Sequence, residues 1–303
     1  MTTEPNQPEM RVGFIGLGSM GTPMALNLAK HFPVTVWNRS AAKYAPFHGT
    51  SARIADSPTA VAQQSDVVFT MLFDDAAYRA LFTPAFASAL RGTTVVNTSS
   101  VSVGCSRALD AQVRRAGGRF LEMPVSGSRV PAEQGQLVGM LAGDADAARR
   151  VAPLLRAITK TAVYCGDDIG AGLRTKFATN LFLITMTAGL AESMHLARKM
   201  GLDVAALAQV LDAGPMASAY SRQKVAKMLA EDWAPQAAVA DCYNLTELVR
   251  QAAVEVGAQT PLMTVCNALY REAVDRGFGG DDMIAIHKVM SPSTEVEEDN
   301  LKM

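Results

Sequence analysis

One stretch limits what this chain can fold into more than any other: RVGFIGLGSMGTPMALNLAKHFPVTVWNR, residues 11–39. An apolar run, Val12 to Ile15, enters Gly16-Leu17-Gly18-Ser19-Met20-Gly21. An amphipathic stretch follows, Thr22 to Lys30, and then a second apolar run, Val34 to Trp37. Strand, glycine turn, helix, strand is the order in which GxGxxG reads as a dinucleotide-binding turn. Gly16 permits the tight turn, Gly18 lets a pyrophosphate approach the backbone, and Gly21 lets the helix pack closely on the strand. The start of the helix offers unpaired N–H groups and a positive dipole end to phosphates.

The end of the second strand bears on which dinucleotide is bound. An NAD-preferring fold places Asp or Glu there to accept hydrogen bonds from the adenosine ribose 2′-OH. This chain has Asn38, followed by Arg39, Ser40 and, a helical step on, Lys43. No carboxylate repels a 2′-phosphate, and the planar fork of Arg39 suits one. The expected cofactor is therefore NADP(H) rather than NAD(H).

Further on, the alternation continues. Asp66 to Leu72, Thr93 to Asn97, Arg119 to Glu122, Leu137 to Ala142 and Thr161 to Tyr164 read as strands, and Ser102 to Ala116 as a helix. Apolar runs alternating with helices argue a mostly parallel, doubly wound sheet of Rossmann type. Ligands of such sheets sit at the carboxyl ends of strands, and Met71, Leu72 and Phe73 lie at one of them. From Gly170 onward only helical periods are found: Leu173 to Met200, Val204 to Leu211, Ser218 to Ala230, Ala240 to Val256 and Leu262 to Arg276. Asp203 stands where an N-cap belongs, and Gly201 and Gly257 where C′ glycines belong. The expected architecture is an α/β domain over 11–165 and an all-helical domain over 166–292, with tails at 1–10 and 293–303. The second tail includes the acidic run Glu295 to Asn300.

A chain of 303 residues, 49% hydrophobic and 19% charged, can bury two cores. Its net charge of -1 gives no field that favours nucleic acid or an acidic membrane. No basic and apolar leader pattern opens it, and Leu181 to Ala191 is too short to span a bilayer. A cytoplasmic location is expected. Cys105, Cys165, Cys242 and Cys266 are dispersed, as are the four histidines, so neither a disulfide frame nor a metal site is expected. Cys105, at a helix start, is open to mild acidity or to being an inert thiol. The paired carboxylates Asp74-Asp75 and Asp281-Asp282 read as solvated or capping.

Reduction of a carbonyl needs a proton donor beside the oxygen that receives charge. In Gly170-Ala171-Gly172-Leu173-Arg174-Thr175-Lys176-Phe177-Ala178-Thr179-Asn180, two glycines open a helix, and Lys176 and Asn180 share one face at i and i+4. A Lys in a dry cleft suits acid–base work. A surface Lys with a cap-like Asn has the same spacing.

Three blocks give the chain a family likeness over nearly its whole length. GFIGLGSMGTPMALNLAK with VWNRS, MPVSGSRVPAEQGQL, and GAGLRTKFATN resemble the β-hydroxyacid dehydrogenases, among them the 3-hydroxyisobutyrate dehydrogenases and the glyoxylate and succinic semialdehyde reductases. That resemblance implies Lys176 as general acid/base and Asn180 as the residue that orients substrate. It implies Ser126 and Gly127 at the substrate carboxylate, with Ser128 beside them, and Ser100 as a polar contact near the nicotinamide ribose. It also implies a small-molecule substrate and a homodimer or higher oligomer. The apolar face of Leu181 to Leu196, long for so small a domain, points the same way.

The chain departs from the family pattern in three places. Ser128 replaces the second Gly of the usual SGG, and Glu122-Met123 replaces Asp-Ala. Ungapped alignment on the late helix puts Asn244 where the family has Lys, and Leu245 where it has Asp. Loss of that positive charge leaves room for a second reading, an imine reductase-like enzyme acting on C=N bonds. A third reading is a dinucleotide-binding scaffold without chemistry.

Overall fold

The computed structural model describes residues 10–290. The acidic run Glu295 to Asn300 and the rest of the two expected tails lie outside the described residues, apart from Met10, which packs against the first core. Among the described residues two compact units form, dividing between Lys176 and Phe177.

The first unit alternates strands and helices. Its elements are β1 (Val12–Ile15), α1 (Gly21–Ala29), β2 (Val34–Trp37), a 3₁₀ helix (Ala41–Phe47), β3 (Arg53–Ile54), α2 (Pro58–Gln63), β4 (Val67–Thr70), α3 (Asp75–Leu81), α4 (Pro84–Ala89), β5 (Thr94–Asn97), α5 (Val103–Arg115), β6 (Arg119–Glu122), β7 (Val125–Ser126), α6 (Arg129–Glu133), β8 (Leu137–Gly143), α7 (Ala145–Leu155) and β9 (Thr159–Tyr164). Strands run β3-β2-β1-β4-β5-β6-β8-β7, with β9 on β8. From β3 to β6 every pairing is parallel. β8 turns antiparallel to both β6 and β7. β1, β4 and β5 are buried throughout, as strands covered on both faces must be.

Helix starts are fixed by short polar side chains that accept a first-turn N–H. Ser57, Asp74, Thr83, Ser102 and Asp144 do this for α2, α3, α4, α5 and α7. Register then sets the geometry that matters for function. Ile15 pairs with Thr70, Thr70 with Asn97, and Asn97 with Glu122. The loops after β1, β4, β5 and β6 therefore leave the sheet side by side along one edge.

The rest of the described chain is helical apart from an isolated antiparallel bridge between Ala238 and Asp282: α8 (Ala171–Lys199), which begins in the first unit, then α9 (Val204–Ala213), α10 (Ala219–Leu229), α11 (Val239–Glu255), α12 (Pro261–Asp275) and a closing 3₁₀ helix (Met283–Met290). Asp203 caps α9, and Gly201 and Gly257 take positive φ of 70° and 68°. Ser218 and Ser221 form a reciprocal capping box on α10. No described helix is long and apolar enough to cross a membrane.

One expectation is overturned here. Asp282 is neither solvated nor merely a cap: fully buried, it holds the ammonium of buried Lys224 at 2.6 Å and accepts the N–H of Gln236. Such a charge survives burial only when paired and hydrogen-bonded. Of the two readings of Cys105 the inert thiol fits, because burial first and then Asp75 push the thiol up to about 12. Asp74 does cap α3, while Asp75 accepts from the N–H and hydroxyl of Ser102.

Candidate active site

The glycine turn after β1 is built by close approach. Gly16 has φ of +101°, and a Cβ there would sit 2.2 Å from the Met71 carbonyl oxygen. A Cβ on Gly21 would sit 1.9 Å from the Gly16 carbonyl oxygen. Gly18, by contrast, would point a Cβ into open space. Gly18 and Ser19 are exposed, and Leu17 is buried. Met20 stands at the N-cap of α1 with no side-chain capping bond, and the first turn carries no acid. A bare helix start beside an exposed glycine backbone fits the pyrophosphate of a dinucleotide.

At the end of β2, the Asn38 side chain is engaged at both its oxygen and its nitrogen. Its Oδ1 accepts the Leu17 N–H at 2.9 Å, and its Nδ2 donates to the Ser40 carbonyl at 3.1 Å. Asn38 thus ties the glycine turn to the strand end. Arg39 and Ser40 beside it are exposed.

A buried polar hub supports the next two loops. The Tyr78 hydroxyl lies 2.9 Å from Thr70 Oγ1, 2.6 Å from Asn97 Oδ1 and 2.7 Å from Ser99 Oγ. Ser99 Oγ in turn accepts the Leu72 N–H at 2.7 Å, and Met71 N–H donates to Ile15. Burial drives the Tyr78 phenol far above its ordinary value, so it stays neutral and can donate. Asn97 Nδ2 has no hydrogen-bond partner. Phe73 is 63% exposed at the loop tip, and Ser100 is half-buried.

The β6–β7 segment and the start of α8 form one construction. Glu122, at 0% exposure, places Oε1 on the N–H groups of Gly170 (2.8 Å), Gly172 (2.9 Å) and Leu173 (3.2 Å), while Oε2 accepts from Ser106 at 2.6 Å. Burial pushes this carboxyl up, and the four donors pull the other way. Gly172 makes the approach possible, since a Cβ there would meet the Met140 carbonyl oxygen at 2.3 Å. One turn along, Lys176 is 8% exposed and its ammonium donates to the Val125 carbonyl. The segment from Glu122 to Val125 thus grips α8 at two points. Ser126 pairs with Val138, Gly127 is exposed with φ of +130°, and Ser128 is the N-cap of α6.

Within the first unit, then, the glycine turn, Met71 to Phe73, Ser100, Ser126 to Ser128 and Lys176 gather on the loop edge of the sheet and its continuation. Two site candidates belong to the second unit. Asn180, 2% exposed, leaves its Nδ2 without a hydrogen-bond partner. Asn244, half-buried on α11, lines an open groove with Glu247, Leu248 and Arg250. Sequence reading named Glu122 only as a strand end and a departure from the family pattern, and missed Tyr78 and Tyr44, whose phenol bonds Asn38. A carboxylate closing an apolar strand was the one usable signal. No group of ligating side chains able to hold a metal occurs among the described residues.

The chain is similar to known proteins over nearly its whole length. Residues 11–166 match the NAD binding domain of 6-phosphogluconate dehydrogenase, and residues 170–290 match the NAD-binding domain of NADP-dependent 3-hydroxyisobutyrate dehydrogenase. Glyoxylate/succinic semialdehyde reductase 2, a chloroplastic protein of Arabidopsis thaliana, is 32% identical over 290 residues, 94% of this chain and 81% of its own. The solved structure of Psf3 in complex with NADP+ and 2-OPP superposes with a TM-score of 0.84 at 26% identity, covering 92% of this chain and 100% of that one. An imine reductase from Pseudomonas sp. shares the fold at a TM-score of 0.64 and 22% identity, covering 93% of this chain and 100% of that one.

Proposed function

The chain belongs to the β-hydroxyacid dehydrogenase family, oxidoreductases that use a nicotinamide dinucleotide and act on small molecules, and on that premise we propose that it transfers hydride between NADP(H) and a small aldehyde, keto acid or β-hydroxy acid. The observation that carries this reading is Lys176, a buried ammonium on the Val125 carbonyl, one turn past a helix start clamped by Glu122. A lysine held this way is desolvated and directed, as a proton donor must be.

Each residue then has a task. The bare N-terminus of α1 and the backbone of Gly18 hold the pyrophosphate. Arg39 and Ser40 take the 2′-phosphate, while Asn38 acts from behind by fixing the turn. Met71 to Phe73 and Ser100 line the dinucleotide along the strand ends. Bound nicotinamide supplies or accepts the hydride. Ser126, Gly127 and Ser128 hold the substrate, with Asn180 orienting it. During reduction Lys176 gives its proton to the carbonyl oxygen as negative charge develops there; during oxidation it takes the proton from the hydroxyl.

Asn244 supports a second reading. An uncharged residue where the family has Lys weakens the hold on a substrate carboxylate, which leaves room for an imine. Lys176 weighs against it, because many imine reductases lack that Lys.

Turnover of NADPH with aldehydes, keto acids and cyclic imines separates the two. With the substrate so identified, Lys176→Ala should cut kcat by roughly 10²–10⁴, the usual worth of a positioned proton donor, and leave NADPH affinity intact. Lys176→Arg should fail too, since a guanidinium cannot exchange its proton near neutral pH. An Ala variant that keeps most of its turnover would remove Lys176 from the mechanism.

A further inference from the structure

The ladder that fixes β2 ends one residue too early to fix Asn38. β1 pairs with β2 up to Ile15 and Trp37, and β3 pairs with it up to Val36. The last bond is from Gly16 N–H to the Trp37 carbonyl, at 3.0 Å. Asn38 therefore leaves the sheet with a backbone N–H and C=O that no strand satisfies. One side chain takes both. The Asn38 N–H donates to Tyr44 Oη at 3.0 Å, and the same hydroxyl donates back to the Asn38 carbonyl at 2.8 Å.

Tyr44 is itself held in place. It lies in the 3₁₀ helix Ala41–Phe47, whose Phe47 is buried, and its ring packs against the core of the first unit. Ser40, the N-cap of that helix, accepts from Asn38 Nδ2. The backbone from Trp37 to Ser40 is thus fixed at Asn38 by a phenol, a carboxamide and the last strand bond. Arg39 and Ser40 project from this fixed base and are exposed.

We infer that Tyr44 is a positioning residue for dinucleotide choice: its hydroxyl holds the Asn38 backbone so that Arg39 and Ser40 face a 2′-phosphate. This rests on the NADP(H) reading above. An exposed arginine pays in entropy for every contact it makes, and a fixed backbone beneath it lowers that cost. The hydroxyl bonds the Asn38 backbone, from which Arg39 and Ser40 follow, while the Asn38 side chain makes the bond to Leu17 in the glycine turn, so loss of the hydroxyl should act mainly through Arg39 and Ser40 and distinguish the two dinucleotides.

Tyr44→Phe keeps the ring and removes both bonds. Dissociation constants for NADPH and NADH, read by fluorescence titration of the full chain, give the test. NADPH should weaken about tenfold, the worth of one to two hydrogen bonds, and NADH by about twofold or less. A second measurement guards against general loosening. In an Arg39→Leu background, Tyr44→Phe should have little further effect on NADPH, because residues acting as a unit are non-additive. A wild-type preference for NADPH that survives Tyr44→Phe overturns the inference, as does an additive double variant or equal weakening of both dinucleotides. Equal affinity of the wild type for NADPH and NADH overturns the NADP(H) reading, and the inference with it.

Discussion

Arg39 and Asn38, neighbours at the end of β2, do different things. Sequence reading treats the pair as one replacement for an acidic ribose ligand. The Asn38 carboxamide is spent inside the protein, on Leu17 and Ser40, whereas the Arg39 side chain is exposed. Selectivity for a 2′-phosphate should therefore depend on Arg39. Arg39→Leu should weaken NADPH by roughly 10- to 100-fold, the loss of a charge-assisted, bidentate contact, and leave NADH nearly unchanged. Isothermal titration with both dinucleotides checks it, and parallel loss of both would place Arg39 elsewhere. Asn38→Asp is the poorer probe. It sets a carboxylate oxygen against the Ser40 carbonyl in place of an N–H, so it disturbs the turn as well as the charge. A one-dimensional pattern shows which residue types stand at a strand end. Which of their atoms are already engaged depends on Tyr44 and Leu17, and no spacing rule encodes that.

At the scale of elements, what decides legibility is length and the distance to a partner. β1 and β2 begin and end where their apolar runs do, and β6 matches its reading from Arg119 to Glu122, because each is paired along its length. The five long helices from α8 to α12 are similarly legible within a residue or two, since several turns of periodicity outweigh any local ambiguity. β3 and β7, two residues each, carry no period at all, and the short helices α2, α3, α4 and α6 scarcely more. Gly16 and Gly172 show the same division within the candidate site. The motif names both, yet only the fold shows the carbonyls of Met71 and Met140 that exclude a side chain. The Glu122 clasp was invisible because its N–H partners lie 48 to 51 residues away. Its energetic weight is testable. Glu122→Ala strands three buried N–H groups and the Ser106 hydroxyl, at about 1–3 kcal/mol for each group left unsatisfied. Glu122→Gln can still accept the three N–H groups through its amide oxygen and donate to Ser106. Urea unfolding of the first transition should show a loss of roughly 3 kcal/mol or more for Ala and about 1 kcal/mol or less for Gln. Equal losses would mean that the charge, and not the hydrogen-bond count, holds the start of α8.

For the whole molecule, the surface of α8 bears most directly on how many chains act together. Phe182 (68% exposed), Gly189 and Leu196 (57% exposed) recur at seven-residue intervals, with half-buried Leu183, Met186 and Leu190 between them. A period of seven on a helix makes one continuous seam, and glycine in the middle lets another backbone come near. Solvent exposure of such a seam is costly at roughly 25 cal/mol per Å² of apolar surface, and α11 and α12 add Val254, Leu262 and Val265 to the exposed apolar area. The buried Lys224–Asp282 pair of the second unit is completed without any of these residues. A second copy of the chain would cover it with like residues, as two-fold symmetry requires. Light scattering at micromolar concentration should give at least twice the 32.2 kDa chain mass. Phe182→Asp with Leu196→Asp puts four carboxylates into a two-fold seam and should drive the mass toward that of one chain. Both positions are exposed, so the pair should leave helical content intact by circular dichroism. A wild type that stays monomeric at that concentration would make the seam a surface without a partner; a charged pair that stays oligomeric would move the interface to α11 and α12, where Val254→Asp with Val265→Asp repeats the test.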